Sequence, residues 1–171
     1  MIKTLLAITI LSTLMGVSTL NRPPLREVVQ QPAESHTTFA TIDITIDPLD
    51  KPLGAYQFEL TSPDASFKVL GVEGGGHPAF DHGRPPYFDP VVREAGADRL
   101  ILAEYALPQF DAEELPDAPV LIAKVAVLFE RPIDANEPPT IELTLTTAGD
   151  ADGNKIQANL GHTLQIPERS E

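Results

Sequence analysis

Thr41-Ile42-Asp43-Ile44-Thr45-Ile46 decides the fold class. Three isoleucines recur at every second position with Asp and Thr between them. Successive side chains on a strand point to opposite faces, so this run offers one apolar face to a core and one polar face to water. The same period returns at Tyr56, Phe58 and Leu60, at Ala123, Val125, Val127 and Phe129, and at Ile141, Leu143 and Leu145. Leu164 and Ile166 close the chain in the same way. Shorter runs, Phe67–Val72 and Leu100–Tyr105, read as further strands. Between the runs stand turn signals: Asp47-Pro48, Ser62-Pro63-Asp64, Gly74-Gly75-Gly76, Arg131-Pro132 and Asp152-Gly153-Asn154. Pro90–Ala97 and Phe110–Leu115 are the places for short helical turns. Seven or more strands without a long helical period predict an all-β, two-sheet antiparallel jelly-roll sandwich.

Composition agrees with that reading. Seventeen prolines and eleven glycines in 171 residues suit short strands joined by turns. No cysteine is present, which excludes disulfides, thiolate metal sites and a cysteine nucleophile. A net charge of −13 argues against nucleic-acid binding, which needs a basic footprint to meet phosphates.

The first residues read as export rather than as fold. Lys3 precedes seventeen uncharged residues, Thr4 to Leu20, with small residues at Gly16 and Ser18. This is the pattern of a secretory signal. An uncleaved anchor is the rival reading, and its length stands at the short end of the roughly 17–25 residues needed to span a bilayer. Residues 1–20 are thus expected to be a signal peptide or membrane anchor, 21–36 a Pro/Gln-containing flexible linker, and 37–168 the sandwich domain. Contact with a membrane is expected only through the N-terminal segment.

The order of segments carries a family resemblance. Leu53-Gly54-Ala55-Tyr56-Gln57-Phe58-Glu59-Leu60, following the Thr41–Ile46 strand, resembles the strand that enters a cohesin sandwich after the first. Phe67-Lys68-Val69-Leu70-Gly71-Val72-Glu73 is similar to the cohesin strand that leads into a loop, and Leu100–Ala103 to a middle strand. Leu121–Phe129 resembles the late strand ending in an aromatic residue. Ile141–Leu145, followed by Asp150-Ala151-Asp152-Gly153-Asn154-Lys155-Ile156, resembles the closing hairpin. The likeness runs from Phe39 to Ile166; the long Gly74–Arg99 segment departs from it. It implies a nine-stranded sandwich without an active site that binds dockerins and so attaches proteins to a scaffold or a cell surface.

Three groups of residues are candidates for chemistry. Asp150, Asp152 and Asn154 are oxygen ligands of the type Ca²⁺ takes. An EF-hand with its glycine at Gly153 is excluded, since its first and last ligand positions are Ala148 and Asn159. The competing reading is a hairpin turn in which Gly153 takes a positive φ. His77, Asp81 and His82, with a third histidine from His36 or His162, have the ligand types for Zn²⁺; a wet surface loop is the simpler reading. Phe80, Tyr87 and Phe88, in the proline-stiffened Gly74–Pro90 loop, are the candidate binding residues, against a role in capping the end of the sandwich.

Catalysis has little support: no Gly-x-Ser-x-Gly sequence and no glycine-rich phosphate loop occurs. The sequence points to an exported non-catalytic binding module for protein–protein attachment, with a dockerin-like protein partner, at the cell surface or in an extracellular complex. Exported here covers secreted, periplasmic and surface-held locations. Two alternatives stay open: a membrane-tethered structural component of an envelope or secretion assembly, and a carbohydrate-binding module linked to polysaccharide breakdown. No cofactor is expected other than the Ca²⁺ candidate.

Overall fold

A computed structural model of the protein describes residues 37–49, 51–64, 66–134 and 138–167. The expected signal or anchor at 1–20, the linker at 21–36 and His36 lie outside the described residues. Among the described residues seven strands are formed: β1 (Thr38–Asp47), β2 (Ala55–Thr61), β3 (Phe67–Gly74), β4 (Arg99–Tyr105), β5 (Val120–Phe129), β6 (Glu142–Gly149) and β7 (Asn159–Gln165). They make two antiparallel sheets, ordered β3-β5-β1-β7 and β4-β2-β6.

Alternation does what the sequence implies. Ile42, Ile44 and Ile46 of β1 and Val125, Val127 and Phe129 of β5 turn inward. They meet Tyr56, Phe58 and Leu60 of β2 and Leu100 and Leu102 of β4 across the gap between the sheets. Burying each such side chain contributes roughly 1.5–3 kcal/mol relative to exposure. Phe67 and Phe129, paired in register, meet edge to face with centroids 5.8 Å apart. The Tyr56 hydroxyl donates to the Ile122 carbonyl at 3.2 Å and so ties β2 to the opposite sheet. Burial, and then the neighbouring Glu104, push this phenol well above its ordinary pKa, which keeps the donor protonated.

Local chemistry places the turns. After β2, the Ser66 amide donates to Ser62 Oγ at 2.8 Å and to Asp64 Oδ1 at 3.2 Å, which closes the Ser62-Pro63-Asp64 turn. A short helix, α1 (Pro90–Ala95), begins at Asp89, whose side chain accepts the Val91 amide at 2.9 Å. It stops at Gly96, in the left-handed region at φ 59°, a common helix end. Gly75 leaves β3 so close to β5 that a Cβ there would sit 1.8 Å from the Leu121 carbonyl oxygen.

The resemblance implies nine strands; seven are present among the described residues. Part of the difference lies at Tyr87, which bridges to Ala103 on the free edge of β4 without extending into a strand. Pro85 and Pro86 stand before it and have no N–H to offer a ladder. A further 3₁₀ turn at Pro78–Phe80, absent from the sequence reading, is capped by His77 Nδ1, which accepts the Ala79 amide at 3.2 Å.

Candidate functional site

The outer face of the β4-β2-β6 sheet carries the candidate site. Because Leu100, Leu102 and Glu104 turn inward, Arg99, Ile101, Ala103 and Tyr105 must turn outward. Register places Ala55 opposite Tyr105, Gln57 opposite Ala103, Glu59 opposite Ile101 and Thr61 opposite Arg99. On the other side of β2, Thr147 and Thr144 stand beside Gln57 and Glu59. Tyr87 joins the face through an isolated bridge to Ala103, its amide donating to the Ala103 carbonyl at 2.9 Å and its carbonyl accepting the Ala103 amide at 3.0 Å.

The result is an apolar patch on a β surface. Tyr87 is 71% exposed, Tyr105 57% and Ile101 40%, grouped around Ala103. Next to Tyr105 lies a hollow of about 450 Å³ lined by Ala55, Tyr105, Pro108, Phe110, Leu115 and Asp150 among others. Beyond Ile101 the patch meets a charged border, where Arg99 donates to both oxygens of Glu59 at 2.6 and 2.8 Å. The hydrogen bond from Arg99 is the main reason that the Glu59 carboxyl lies below its usual range. Exposed aromatic side chains thus stand beside a small hollow with a polar rim.

Behind this face Glu104 is buried with its carboxylate in use. It accepts two bonds from Arg84, Nη1 at 3.0 Å and Nη2 at 3.3 Å, and one from the Tyr105 amide at 3.2 Å. His82 Nε2 lies 3.4 Å from the same carboxylate and donates to the Tyr105 carbonyl at 2.8 Å, its ring edge-on to the Tyr105 ring.

The three aromatics singled out from sequence do not share one surface. Of the three aromatics, Tyr87 faces outward, while Phe80 and Phe88 pack against the core. Phe80 meets Tyr56 edge to face at 5.5 Å. Phe80 and Phe88 therefore cap the sandwich, which was the competing reading for all three. Ile101 and Tyr105 escaped the sequence reading, although the parity of Leu100 and Leu102 already turns them outward.

Asp150 is the hub of its own turn. It accepts the Asn154 amide at 2.8 Å, the Asp152 amide at 3.1 Å, the Asn154 side chain and, at 3.4 Å, Lys51 Nζ. Partial burial works to raise its pKa, and the bonds from Asn154, Lys51 and Asp152 outweigh it, leaving the carboxyl below its usual range. Gly153 takes φ 80°, as the turn reading of this loop requires. Among the described residues no three His, Asp or Glu side chains are arranged to hold a metal ion. His77 caps a turn, His82 is bonded to β4, and His162 lies in the other sheet on β7, opposite Ile44.

No family model matches the chain, and no curated protein does. Solved structures do. The chain is similar to a non-cellulosomal cohesin from the hyperthermophilic archaeon Archaeoglobus fulgidus, at 13% identity and TM-score 0.45 over 70% of this chain and 73% of that one. It is also similar to two type I cohesin–dockerin complexes from Clostridium thermocellum. One matches at 14% identity and TM-score 0.46, over 71% of this chain and 81% of that one. The other matches at 13% identity and TM-score 0.44, over 68% and 91%.

Proposed function

We propose that the chain is a non-catalytic protein–protein attachment module, of the cohesin type its sequence resembles, which binds a dockerin-like protein partner through the outer face of the β4-β2-β6 sheet. The observation that carries this reading is the grouping of Tyr87, Ile101 and Tyr105, all exposed, around Ala103. Large side chains left in water on the edge strand β4, beside Gln57 and Glu59 of β2, are the type that anchors a partner. A non-catalytic role is supported by Glu104, the buried carboxylate among the described residues, whose oxygens are held by Arg84 and the Tyr105 amide. Residues 1–20 are proposed to deliver the module across a membrane, to a secreted complex or the cell surface.

Full-length protein is immobilised and challenged with a purified type I dockerin and with the native secretome, beside an Ile101→Ala/Tyr105→Ala variant of unchanged melting temperature. The expected result is capture of a protein by the wild type and its loss in the variant. Equal capture by both would overturn the assignment of this face. Tyr87 and Tyr105, both exposed on it, also favour a carbohydrate reading, since tyrosine rings stack on sugars. Retention on a polysaccharide array, with no protein captured, would select that reading instead.

A further inference from the structure

We propose that Arg84, Glu104 and His82 form a latch that holds Tyr87 in the binding face, with Arg84 as a positioning residue for the partner contact. The proposal rests on the reading of that face as the partner surface.

Tyr87 is attached to the sheet by two backbone bonds, both to Ala103. An edge contact of one residue is weak by itself, because few bonds offset the entropy of ordering the loop. Pro85 and Pro86 contribute no donors to it. Arg84 holds the approach from the polar side. Its Nη1 donates both to the Pro85 carbonyl at 2.9 Å and to Glu104 Oε2 at 3.0 Å, while Nη2 reaches Glu104 Oε1 at 3.3 Å. One guanidinium therefore bonds the chain two residues before Tyr87 to the strand residue next to Ala103. The fork geometry of arginine makes this bidentate hold directional.

Glu104 gives the latch its strength. Its side chain is almost wholly buried, while Arg84 is partly exposed. A buried carboxylate that loses its cation is left with an uncompensated charge and moves toward water, so loss of Arg84 works against the loop twice. His82 adds the second arm, bonding the Tyr105 carbonyl and lying edge-on to the Tyr105 ring at 4.9 Å. Both exposed tyrosines of the patch are thus held from behind by one cluster. Pro86 is buried and Phe88 packs against the core on either side of Tyr87, so the latch adds a directional polar hold to that packing.

Amide hydrogen exchange on the full chain tests this without a partner. The Tyr87 and Ala103 amides bond only to each other's residues and report the latch, while the amides of Ile44 and Val125 report the sandwich. Arg84→Met is expected to speed exchange at Tyr87 and Ala103 by about tenfold or more, the loss expected for hydrogen bonds to a charged group, with Ile44 and Val125 unchanged. Arg84→Lys keeps the charge without the fork and should restore part of the protection. Unchanged exchange at Tyr87 in Arg84→Met would overturn the latch, as would equal acceleration at all four amides. A dockerin probe that binds Tyr87→Ala as tightly as wild type would instead count against the binding-face reading, whatever the exchange rates show.

Discussion

On the outer face of the β3-β5-β1-β7 sheet, Asp43, Lys124 and Glu73 stand in register across three strands. On the outer face of the β4-β2-β6 sheet, Ala103 of the edge strand β4 has Tyr87, Ile101 and Tyr105 around it. Each face has a hollow of about 450 Å³, one lined by groups such as Thr41, Asp43, Glu73, Lys124 and Gln165, the other by Tyr105, Pro108 and Phe110. Size does not separate the two faces; chemistry does. Alternating acids and a lysine keep their hydration and resist burial, because the centre of an interface disfavours charge. Exposed tyrosines and an isoleucine lose little when covered. The alternation that builds the sandwich determines which side chains reach each surface, and their identity determines what the surface is for.

The difference between the faces should vanish only when their shared interior fails. Phe58→Ala empties the middle of the core beneath both, and a loss of about 3–5 kcal/mol in urea unfolding is expected. A smaller effect separates two glycines, one just past the end of β3 and one within it. Gly75→Ala drives a methyl into the Leu121 carbonyl and should cost about 2 kcal/mol or more. Gly71→Ala has open space and should stay within about 0.5 kcal/mol.

The sharpest contrast is in binding rather than stability. Tyr105→Ala should leave the melting temperature nearly unchanged and weaken a protein partner by about thirtyfold, the range of an interface anchor. The same readout on Leu70→Ala, an exposed apolar residue of β3, should show no change. The smallest effect concerns acid. Glu59, held by Arg99, has a folded pKa below its unfolded value of 4.5, so its contribution is present above that pH. That contribution is lost as pH falls through the folded value. Glu59→Gln should therefore lower the urea midpoint slightly at pH 7 and leave it unaltered once the pH is well below 4.5, flattening the dependence between the two.

Much of this was readable from residue order. Period two located β1, β2, β5 and β6, because each turns one apolar row to the core and the signal is local. β7 was read short, at Leu164–Ile166, since Asn159–Thr163 lies on an exposed sheet edge where little apolar burial is demanded of it. The helical turn predicted at Pro90–Ala97 ends at Ala95, because Gly96 adopts the left-handed region. Parity from Leu100 and Leu102 was enough to send Glu104 inward and Tyr105 outward. Which cation would meet Glu104 was not legible: Arg84 arrives from an irregular loop twenty residues earlier, and no periodicity governs its path. For the same reason Phe80, Tyr87 and Phe88 looked alike in sequence, while only the bridge at Ala103 separates the outward one from the two that cap the core.

A matched pair of substitutions tests the central claim most directly. Ala103 and Ala126 both point outward, Ala103 among the exposed aromatics of one face and Ala126 beside Lys124 on the charged face. Binding of the captured protein partner, or of the dockerin probe, is measured for Ala103→Glu and Ala126→Glu, each first shown to melt cooperatively. Loss of binding with glutamate at 103 and retention with glutamate at 126 is the predicted result. Retention at 103 with loss at 126 would place the partner on the charged face and contradict the account.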